Sequence, residues 1–285
     1  MPYVNTKEML IKARQQKYVV GGFNIVNHTS LVAVIEAAKE NNSPVIIQTS
    51  QKTVMELGYK VLPAVIRELS EETDVPIAMI LDHGTDTEVI KNCIEFGWSS
   101  VMIDGSAYPF EKNIEITKKI TDIAHSKNVT VEGELGHIGG IEEHISVDSD
   151  KVLLTDPEKV VEFAERTQID SLAVAIGTKH GFYDIKYELD FNRLGKIMDV
   201  TDFPIVIHGC SGLAENDLNR LISFCPSKMN ISTEIKHIYI DSCKKYIEEH
   251  PDEYEPVKKI SFVQRQVKEL VKKYMFIFGS AGKAI

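Results

Sequence analysis

The sequence predicts an α/β protein built as a single (β/α)8 barrel with extra helices at its carboxyl end. Short β-rich runs alternate along the chain with amphipathic stretches at helical spacing, which is the pattern that builds a parallel sheet. Several runs are apolar without alternation, as expected of strands that helices cover on both faces. A length of 285 residues suits one barrel, so we expect one domain over residues 1–285.

Eight runs have the length and composition of barrel strands. They span residues 19–25, 45–49, 77–81, 100–103, 129–134, 171–176, 205–208 and 228–232. The sixth run includes the uninterrupted apolar segment Leu-Ala-Val-Ala-Ile at 172–176, which fits a strand inside the molecule. Eight strands that each precede a helical stretch indicate closure into a barrel.

The stretches between the runs carry helix signals. Thr155 and Glu158 have the spacing of a capping box, and Pro157 suits a first helical turn, so we predict a helix start ahead of the sixth run. Beyond the eighth run the chain predicts two helices over about residues 233–278, with a break near His250 and Pro251. We expect these two helices to be a helical extension of the barrel.

Composition excludes several classes of protein. The net charge of −10 argues against a surface that follows nucleic-acid phosphates. No apolar stretch approaches the roughly 20 residues that cross a bilayer, and residues 1–14 lack the pattern of a signal peptide. The four cysteines form no C-x-x-C pair and are expected to be reduced thiols. We therefore expect a cytoplasmic protein without nucleic-acid or membrane partners.

Polar residues close most of the strand runs. They are Asp82 and His83 after the third run, Asp104 after the fourth, Glu132 and Glu134 in the fifth, His180 and Gly181 after the sixth, His208 and Gly209 at the seventh, and residues 230–234 at the eighth. In a (β/α)8 barrel the functional residues lie at the carboxyl ends of the strands. The sequence therefore predicts a functional site at this end.

Three histidines occupy matching positions in the predicted barrel. His83, His180 and His208 lie at or just beyond the third, sixth and seventh runs, where a barrel directs side chains inward. Three neutral imidazoles with one open position form a catalytic zinc site, and manganese, iron or cobalt could use the same ligands. A lone histidine would be interpreted as a core or surface residue, but three at matching positions favour a metal centre.

Carboxylates accompany these histidines. Asp82 would point away from His83 in an extended strand, but this alternation relaxes at the mouth of a barrel, so both could reach one site. Asp82 could instead cap a helix or orient a ligand. Asp104, Glu132 and Glu134 have three interpretations: partners of the metal ligands, alternate ligands, or purely structural carboxylates.

Two glycine-rich segments follow the later runs. Residues 134–143 combine three glycines with several glutamates, which predicts a mobile loop that delivers a base or, alternatively, a solvated charged loop. Gly181, Gly209 and Gly212 accompany Ser211 and residues 230–233, which together predict a phosphate site near the seventh and eighth loops. The alternative is that these glycines serve turns alone.

The motifs together resemble the class II, zinc-dependent ketose-bisphosphate aldolases, a family that includes fructose- and tagatose-bisphosphate aldolases. The resemblance covers nearly the whole chain and rests on Leu-Asp-His at 81–83, Ser-Val-Met-Ile-Asp at 100–104, Glu-Leu-Gly at 134–136 with Gly-Gly at 139–140, Gly-Thr-Lys-His-Gly at 177–181, His-Gly-Cys-Ser-Gly at 208–212 and Asn-Ile-Ser-Thr-Glu at 230–234. It implies reversible cleavage of tagatose or fructose 1,6-bisphosphate to dihydroxyacetone phosphate and glyceraldehyde 3-phosphate through a zinc-stabilised enediolate.

The resemblance also assigns roles to single residues. It implies that His83, His180 and His208 bind one zinc ion per chain, and that Glu134 and Asp104 lie close enough to serve a metal that shifts position. It makes Asp82 the acid and base at the C4 oxygen and Glu142 the base for the C3 proton of dihydroxyacetone phosphate. Such proton transfers are work that a carboxylate can perform.

Binding residues follow from the same resemblance. It implies a phosphate-binding segment formed by Gly181, Gly209, Cys210, Ser211, Asn230, Ile231, Ser232 and Thr233, with a monovalent cation, Na⁺ or K⁺, nearby. Asn24 and Ser50 resemble positions that face the substrate and its second phosphate. The family resemblance leads us to expect a homodimer or a homotetramer.

Some positions depart from the family pattern. Lys179 adds a positive charge beside His180, and His137 and Ile141 are unusual in their loop. Ser232 stands where fructose-bisphosphate members can carry a carboxylate or amide, so this chain looks more like the tagatose branch. Two alternatives remain open: a zinc hydrolase on the same barrel, and a non-catalytic sugar-phosphate-binding barrel.

Overall fold

The computed structural model describes residues 3–142, 145–147, 152–183 and 187–284, and of residues 141–142 and 145–147 it describes the backbone alone. The strands are β1 Val20–Asn24, β2 Val45–Ser50, β3 Ile77–Gly84, β4 Ser100–Ile103, β5 Thr130–Leu135, β6 Gly139–Glu142, β7 Ile145–Val147, β8 Ser171–Val174, β9 Lys179–His180, β10 Ile205–Ile207 and β11 Lys228–Ile231. Eight of them close a parallel barrel in the order β1-β11-β10-β8-β5-β4-β3-β2. All eight predicted runs are confirmed as these barrel strands.

Helices surround the barrel. They are α1 Thr6–Gln16, α2 His28–Asn41, α3 Gln51–Leu57, α4 Val61–Ser70, α5 Thr87–Glu95, α6 Phe110–His125, α7 Val160–Thr167, α8 Phe191–Val200, α9 Glu215–Ser223, α10 Thr233–Glu249 and α11 Pro256–Ile277. The predicted extension is α10 and α11, and α11 packs on α2 and β1 through Val263, Val267 and Val271, which recur at helical spacing. Among the described helices, none combines the length and hydropathy needed to cross a bilayer.

The barrel interior changes from apolar to polar along the strands. Val20, Ile46, Ala78, Ala173 and Val206 pack together in the amino-terminal half, and α1 covers that end. Side chains two residues further along a strand point to the same face, so the inward positions nearer the carboxyl end hold polar residues. They are Asn24, Gln48, Asp82, Glu132, Glu134, His208 and Asn230, all buried, while the buried Lys228 lies level with Val20 and Val206. The strand register therefore assembles a polar layer in the upper barrel.

The predicted capping box at Thr155 was wrong. The side chain of Asp156 caps the start of a 3-10 turn, Pro157–Lys159, by accepting a hydrogen bond from the backbone N–H of Glu158, and α7 follows. The Thr155 hydroxyl donates to the carbonyl oxygen of Leu135 and accepts from the backbone N–H of Ala175. Thr155 cannot cap the helix because its hydroxyl joins the ends of β5 and β8.

The loop predicted after β5 contains a small sheet instead. Strands β7, β6 and β9 form a three-stranded sheet, in which Gly140 of β6 pairs with His180 of β9. Gly140 has φ 101°, and a Cβ atom there would lie 2.2 Å from the carbonyl oxygen of His180. The glycine is therefore required by close approach to a histidine-bearing strand, rather than by mobility.

Candidate metal centre and active site

The structure brings the three predicted histidines together. His83 lies near the end of β3, His180 in β9 and His208 directly after β10, and all three are buried. Their ligand atoms all lie within 4.8 Å of one another. Nε2 of His83 is 2.8 Å from Nδ1 of His208, and the ring of His180 is 4.6 Å from that of His83 between centroids. Three separate segments of the chain thus converge on one point.

A second group of ligand atoms lies on the other side of His83. Its Nδ1 atom is 3.0 Å from a carboxylate oxygen of Asp104 and 3.6 Å from one of Glu134. The other oxygen of Asp104 accepts hydrogen bonds from the hydroxyl and the backbone N–H of Ser106. His83, Asp104 and Glu134 form a further candidate metal group, so both carboxylates lie where the sequence placed alternate ligands.

The residues of this centre fit a zinc ion. Three imidazoles with nearby carboxylates are a donor set that zinc prefers. Oε2 of Glu134 is buried and has no hydrogen-bond partner among the described residues, which is costly without a cation nearby. Burial opposes protonation of His83, yet the charge of Asp82 and the hydrogen bond to Asp104 raise the His83 pKa to about 10. Burial lowers the pKa of His208.

His208 is held from behind by a buried ion pair. Its Nε2 atom is 2.8 Å from Oε1 of Glu132, and Oε2 of Glu132 accepts a 2.7 Å hydrogen bond from Nζ of Lys228. Burial opposes ionisation of Glu132, but the charge of Lys228 and the contact with His208 lower its pKa to about 2. The role of Lys228 was not predicted from the sequence. The available signal was a lysine at an inward position of a barrel strand, which must find a buried partner.

Asp82 lies beside the histidines in a cage of amides. The side-chain N–H of Asn24 donates to Asp82 at 2.8 Å, and that of Asn230 donates at 3.4 Å. Gln48, which the sequence analysis also missed, donates to Asn24 at 2.9 Å. Asp82 lies 4.0 Å from Nδ1 of His208. Its carboxylate is therefore fixed next to the three histidines but is not part of that candidate ligand group.

The alternation of the strand breaks at this point. His83 has φ 47°, in the left-handed region that residues other than glycine seldom adopt. The side chain of Asp82 lies on the inward face of β3. The unusual backbone conformation of His83 lets its own side chain point toward the same centre. The prediction that Asp82 and His83 reach one site agrees with this geometry.

The centre opens into a small cleft at the carboxyl end of the barrel. Its walls are Asn24, Asp82, His180, Gly181, His208, Gly209, Ser211, Asn230, Ser232 and Thr233. Most of the predicted binding residues are among them. Three predicted residues are not: Cys210 and Ile231 direct buried side chains into the strand–helix layer, and Ser50 caps α3 at the end of β2. Cys210 and Ile231 can reach a ligand only through their backbone.

One wall of the cleft suits an anion. The hydroxyl of Ser211 accepts hydrogen bonds from the backbone N–H groups of Ser232 and Glu234, which joins the seventh barrel loop to the start of α10. The N-cap residue of α10, Ser232, makes no side-chain capping hydrogen bond, and a helix start of this kind attracts phosphate. A Cβ atom at Gly209 would lie 2.5 Å from the carbonyl oxygen of Lys179, so glycine lets this loop lie against β9. Tyr183 donates its hydroxyl to the Gly209 carbonyl at 2.6 Å.

The side chain of Glu142, the predicted base, falls outside the described residues, as does Glu143. The backbone of Glu142 ends β6, the strand that pairs with β9. Its assignment therefore stays a prediction.

Comparison with known proteins places these features in a family. The model of the family described as fructose-bisphosphate aldolase class-II matches residues 4–283. The D-tagatose-1,6-bisphosphate aldolase subunit GatY of Klebsiella oxytoca is 39% identical over 280 residues, which are 98% of this chain and 99% of that protein. The crystal structure of the YdjI aldolase from Escherichia coli K12 gives a TM-score of 0.86 at 32% identity and covers 99% of this chain and 100% of that one.

A more distant structure agrees in fold. The fructose-bisphosphate aldolase of Campylobacter jejuni gives a TM-score of 0.83 at 23% identity, over 96% of this chain and 94% of that one. Identity at that level supports the architecture alone. The family model, by contrast, spans nearly the whole chain, and the predicted histidine centre lies within it. The chain belongs to the class II fructose-bisphosphate aldolase family and is an aldolase, a carbon–carbon lyase.

Proposed function

We propose that this aldolase cleaves tagatose 1,6-bisphosphate reversibly to dihydroxyacetone phosphate and glyceraldehyde 3-phosphate, with fructose 1,6-bisphosphate as the alternative substrate. The observation that carries the proposal is the convergence of three buried histidines beside the caged carboxylate of Asp82. The choice of hexose is supported by the small side chain of Ser232 in the cleft wall and by the tagatose-bisphosphate name of the Klebsiella relative.

The metal in this proposal is one zinc ion per chain, held by His83, His180 and His208. Asp104 and Glu134 offer an alternate position on the far side of His83. When bound, zinc supplies a positive charge at the point where the substrate gains negative charge as the C3–C4 bond breaks.

Asp82 moves the proton at C4 in this account. It takes the proton of the C4 hydroxyl during cleavage and returns it during condensation, which is general acid–base work. The amides of Asn24 and Asn230 hold both of its oxygens by donated hydrogen bonds, so the carboxylate keeps one orientation in the cleft wall. Preorganisation of this kind avoids rearrangement during the reaction.

Glu142 takes the C3 proton of dihydroxyacetone phosphate in the condensation direction. The support for this role is the pairing of β6 with β9, because Gly140 lies opposite His180 and Glu142 is two residues further along the same strand. The small sheet thus links the proposed base to the strand that carries a metal ligand.

The substrate phosphate binds at the wall formed by Gly181, Gly209, Ser211 and residues 230–233, with Na⁺ or K⁺ beside it. Its support is the cleft wall described above, which includes the hydroxyl-bearing Ser211 and the start of α10, a helix start whose N-cap side chain makes no capping hydrogen bond. Asn24 and Ser50 face the rest of the substrate and its second phosphate. Cys210 and Ile231 contribute backbone only.

The assembly and location belong to the proposal as well. We infer one barrel domain over residues 1–285, with residues 233–278 as its helical extension, working in the cytoplasm as a homodimer or homotetramer. Support for an assembly comes from exposed apolar side chains on and between α10 and α11: Ile240, Ile247, Tyr254, Val257 and Phe276. Light scattering after size-exclusion chromatography measures the mass in solution, and a monomer would contradict the assembly.

One comparison tests the proposed reaction. A single zinc-loaded preparation is assayed for triose phosphate release from tagatose and fructose 1,6-bisphosphates, and kcat/KM is determined for each. We expect both to be cleaved and tagatose to be preferred. A preference for fructose contradicts the choice of hexose. If neither sugar yields triose phosphate, a zinc hydrolase or a non-catalytic barrel is favoured instead.

A further inference from the structure

We propose that Lys228 is a positioning residue that acts through Glu132 to fix the ring of His208 in its metal-binding orientation. The inference rests on the proposed zinc centre and names a residue beyond its ligands and proton carriers. Its basis is a continuous buried chain of contacts from Lys228 to the histidine cluster.

Lys228 is an unusual residue for a barrel interior. It is the first residue of β11, pairs in register with Val20 and Val206, and is 0% exposed. Burying an ammonium group is costly unless a partner compensates its charge. The partner is Glu132, whose carboxylate lies 2.7 Å from Nζ. Because Nζ is committed to this pair and Lys228 is absent from the cleft walls, it is not offered to a substrate carbonyl.

Glu132 divides its two oxygens between two neighbours. Oε2 accepts from Lys228, with the hydroxyl of Ser171 a weaker donor at 3.4 Å, and Oε1 lies 2.8 Å from Nε2 of His208. Glu132 is itself 1% exposed, so water does not compete for these oxygens. The pull of Lys228 on one oxygen therefore fixes the direction in which the other oxygen faces.

That direction selects the ligand atom of His208. The Glu132 carboxylate accepts hydrogen bonds and lies nearer to Nε2 of His208, at 2.8 Å, than the amide nitrogen of Asn230, at 3.1 Å, so Nε2 carries the proton that it donates to Glu132. The lone pair of the neutral ring is then on Nδ1, the atom 2.8 Å from Nε2 of His83 and inside the metal group. A partner that holds the far nitrogen of a ligating histidine in this way fixes both tautomer and ring orientation. Lys228 controls that partner.

The first test is K228M, which keeps the length of the side chain and removes its donor. Zinc dissociation constants are measured on metal-stripped protein with a chromophoric chelator, without substrate. We expect binding about 10- to 100-fold weaker than in the wild type, the range for partners of ligating histidines. The visible spectrum of the cobalt-loaded variant should shift as well, since it reports ligand geometry.

A matched control separates positioning from loss of stability. Thr130 is a buried polar residue at the opposite end of the barrel interior, hydrogen-bonded to Ser100 and Thr6. T130V should lower the melting temperature of the metal-free protein while leaving zinc affinity and the cobalt spectrum unchanged. If K228M behaves like T130V in all three measurements, Lys228 is structural and the proposal is overturned.

The double variant K228M/E132Q tests the route through Glu132. It removes both charges of the pair, and the glutamine keeps an oxygen for His208 while its N–H can donate to Ser171. We expect most of the zinc affinity lost in K228M to return. The comparator K228M/E132L has no acceptor and should remain weak. Equal zinc affinities in these two double variants would contradict the route. Both double variants avoid an unpaired buried charge, so they keep the test open should K228M fail to fold.

The outcome is separable from that of the proposed function. Zinc affinity and the cobalt spectrum are measured without a sugar, so an enzyme that cleaves neither hexose leaves the positioning role intact. A wild-type protein that binds no zinc in this assay overturns both inferences, and H208A reports whether the measured zinc occupies this centre.

Discussion

Two residues that are adjacent in the sequence of the active site are held by different partners. Asp82 and His83 are neighbours in sequence, yet one is held by amides and the other contacts two carboxylates and a histidine. The left-handed conformation of His83 makes this division possible, because it ends the alternation of β3 where the polar layer begins.

Asp82→Ala should keep zinc and the fold but lose turnover, because the change removes a proton carrier rather than a ligand. A positioned acid–base group typically contributes about 10² to 10⁴ in rate, so kcat should fall by that factor. Zinc content is measured on the same sample. D170N, at a buried aspartate bonded to His125 outside the cleft, is the control and should keep its kcat. A near-normal kcat in the Asp82 variant would give this residue a supporting role.

Zinc binding at pH 7.5 should release about one proton, because the ligand His83 holds a proton in the metal-free protein. Its folded pKa of about 10 lies above the ordinary value of 6.5, so its protonation stabilises the metal-free fold fully below pH 6.5. That contribution is lost as the pH rises through 10. Calorimetric titration in buffers of different ionisation enthalpy counts the protons, and a count of zero would contradict the raised pKa of His83.

Among the secondary-structure elements, the small sheet of β6, β7 and β9 connects two parts of the site. Pairing of Gly140 with His180 ties the segment that carries the proposed base to a metal ligand. At Gly140 the glycine permits a close approach to the backbone of His180. The backbone of Glu142 pairs with Ile145 of β7, in the same sheet as His180.

Glu142→Ala should slow exchange of the C3 proton of dihydroxyacetone phosphate far more than it weakens binding of that triose. The reason is that the change removes a proton acceptor while the phosphate wall and metal ligands stay in place. Deuterium exchange followed by NMR gives the rate, and inhibition of cleavage by the triose gives the affinity. An unchanged exchange rate would assign the proton to another group.

Ser232 precedes α10 and should contribute to the choice between hexoses that differ at C4. A carboxylate can form a charge-assisted hydrogen bond worth about 1.5 to 3 kcal/mol, which a serine hydroxyl cannot match. Ser232→Asp should therefore raise the fructose-to-tagatose ratio of kcat/KM by roughly ten- to a hundredfold. The added charge can repel the phosphate for both sugars, so the ratio is measured. Ser232→Ala is the neutral control; a ratio that stays constant in the Asp variant places selectivity elsewhere.

Element by element, the sequence predicted those features that leave a periodic or local signal. Buried parallel strands read as apolar runs, and polar residues at the run ends located the histidine centre. Strand β9 has two residues, which is too short for any period, so the small sheet was not predictable. The roles of Lys228, Gln48 and Thr155 depend on which strands are neighbours, and that information comes only from the closed register.

At the scale of the whole molecule, the barrel separates stability from chemistry. The amino-terminal half of its interior is largely apolar and covered by α1, Lys228 lies level with Val20 and Val206 and is paired with Glu132, and the carboxyl-terminal end holds the histidines and carboxylates of the candidate metal groups. Such charges reduce stability unless each finds a partner. The buried polar layer therefore reduces the stability of the fold but forms its reactive centre, as expected of a (β/α)8 enzyme.

This molecule is an aldolase, and we expect its chemistry to require a metal ion at the three histidines. The direct measurement is triose phosphate release from a ketohexose 1,6-bisphosphate by protein that has been stripped with a chelator, shown to be metal-free and then titrated with zinc. We predict no activity in the stripped protein, recovery that saturates at one zinc per chain, and no lysine trapped by borohydride in the presence of substrate. Full activity in protein shown to be metal-free, or a borohydride-trapped lysine, would contradict the metal requirement.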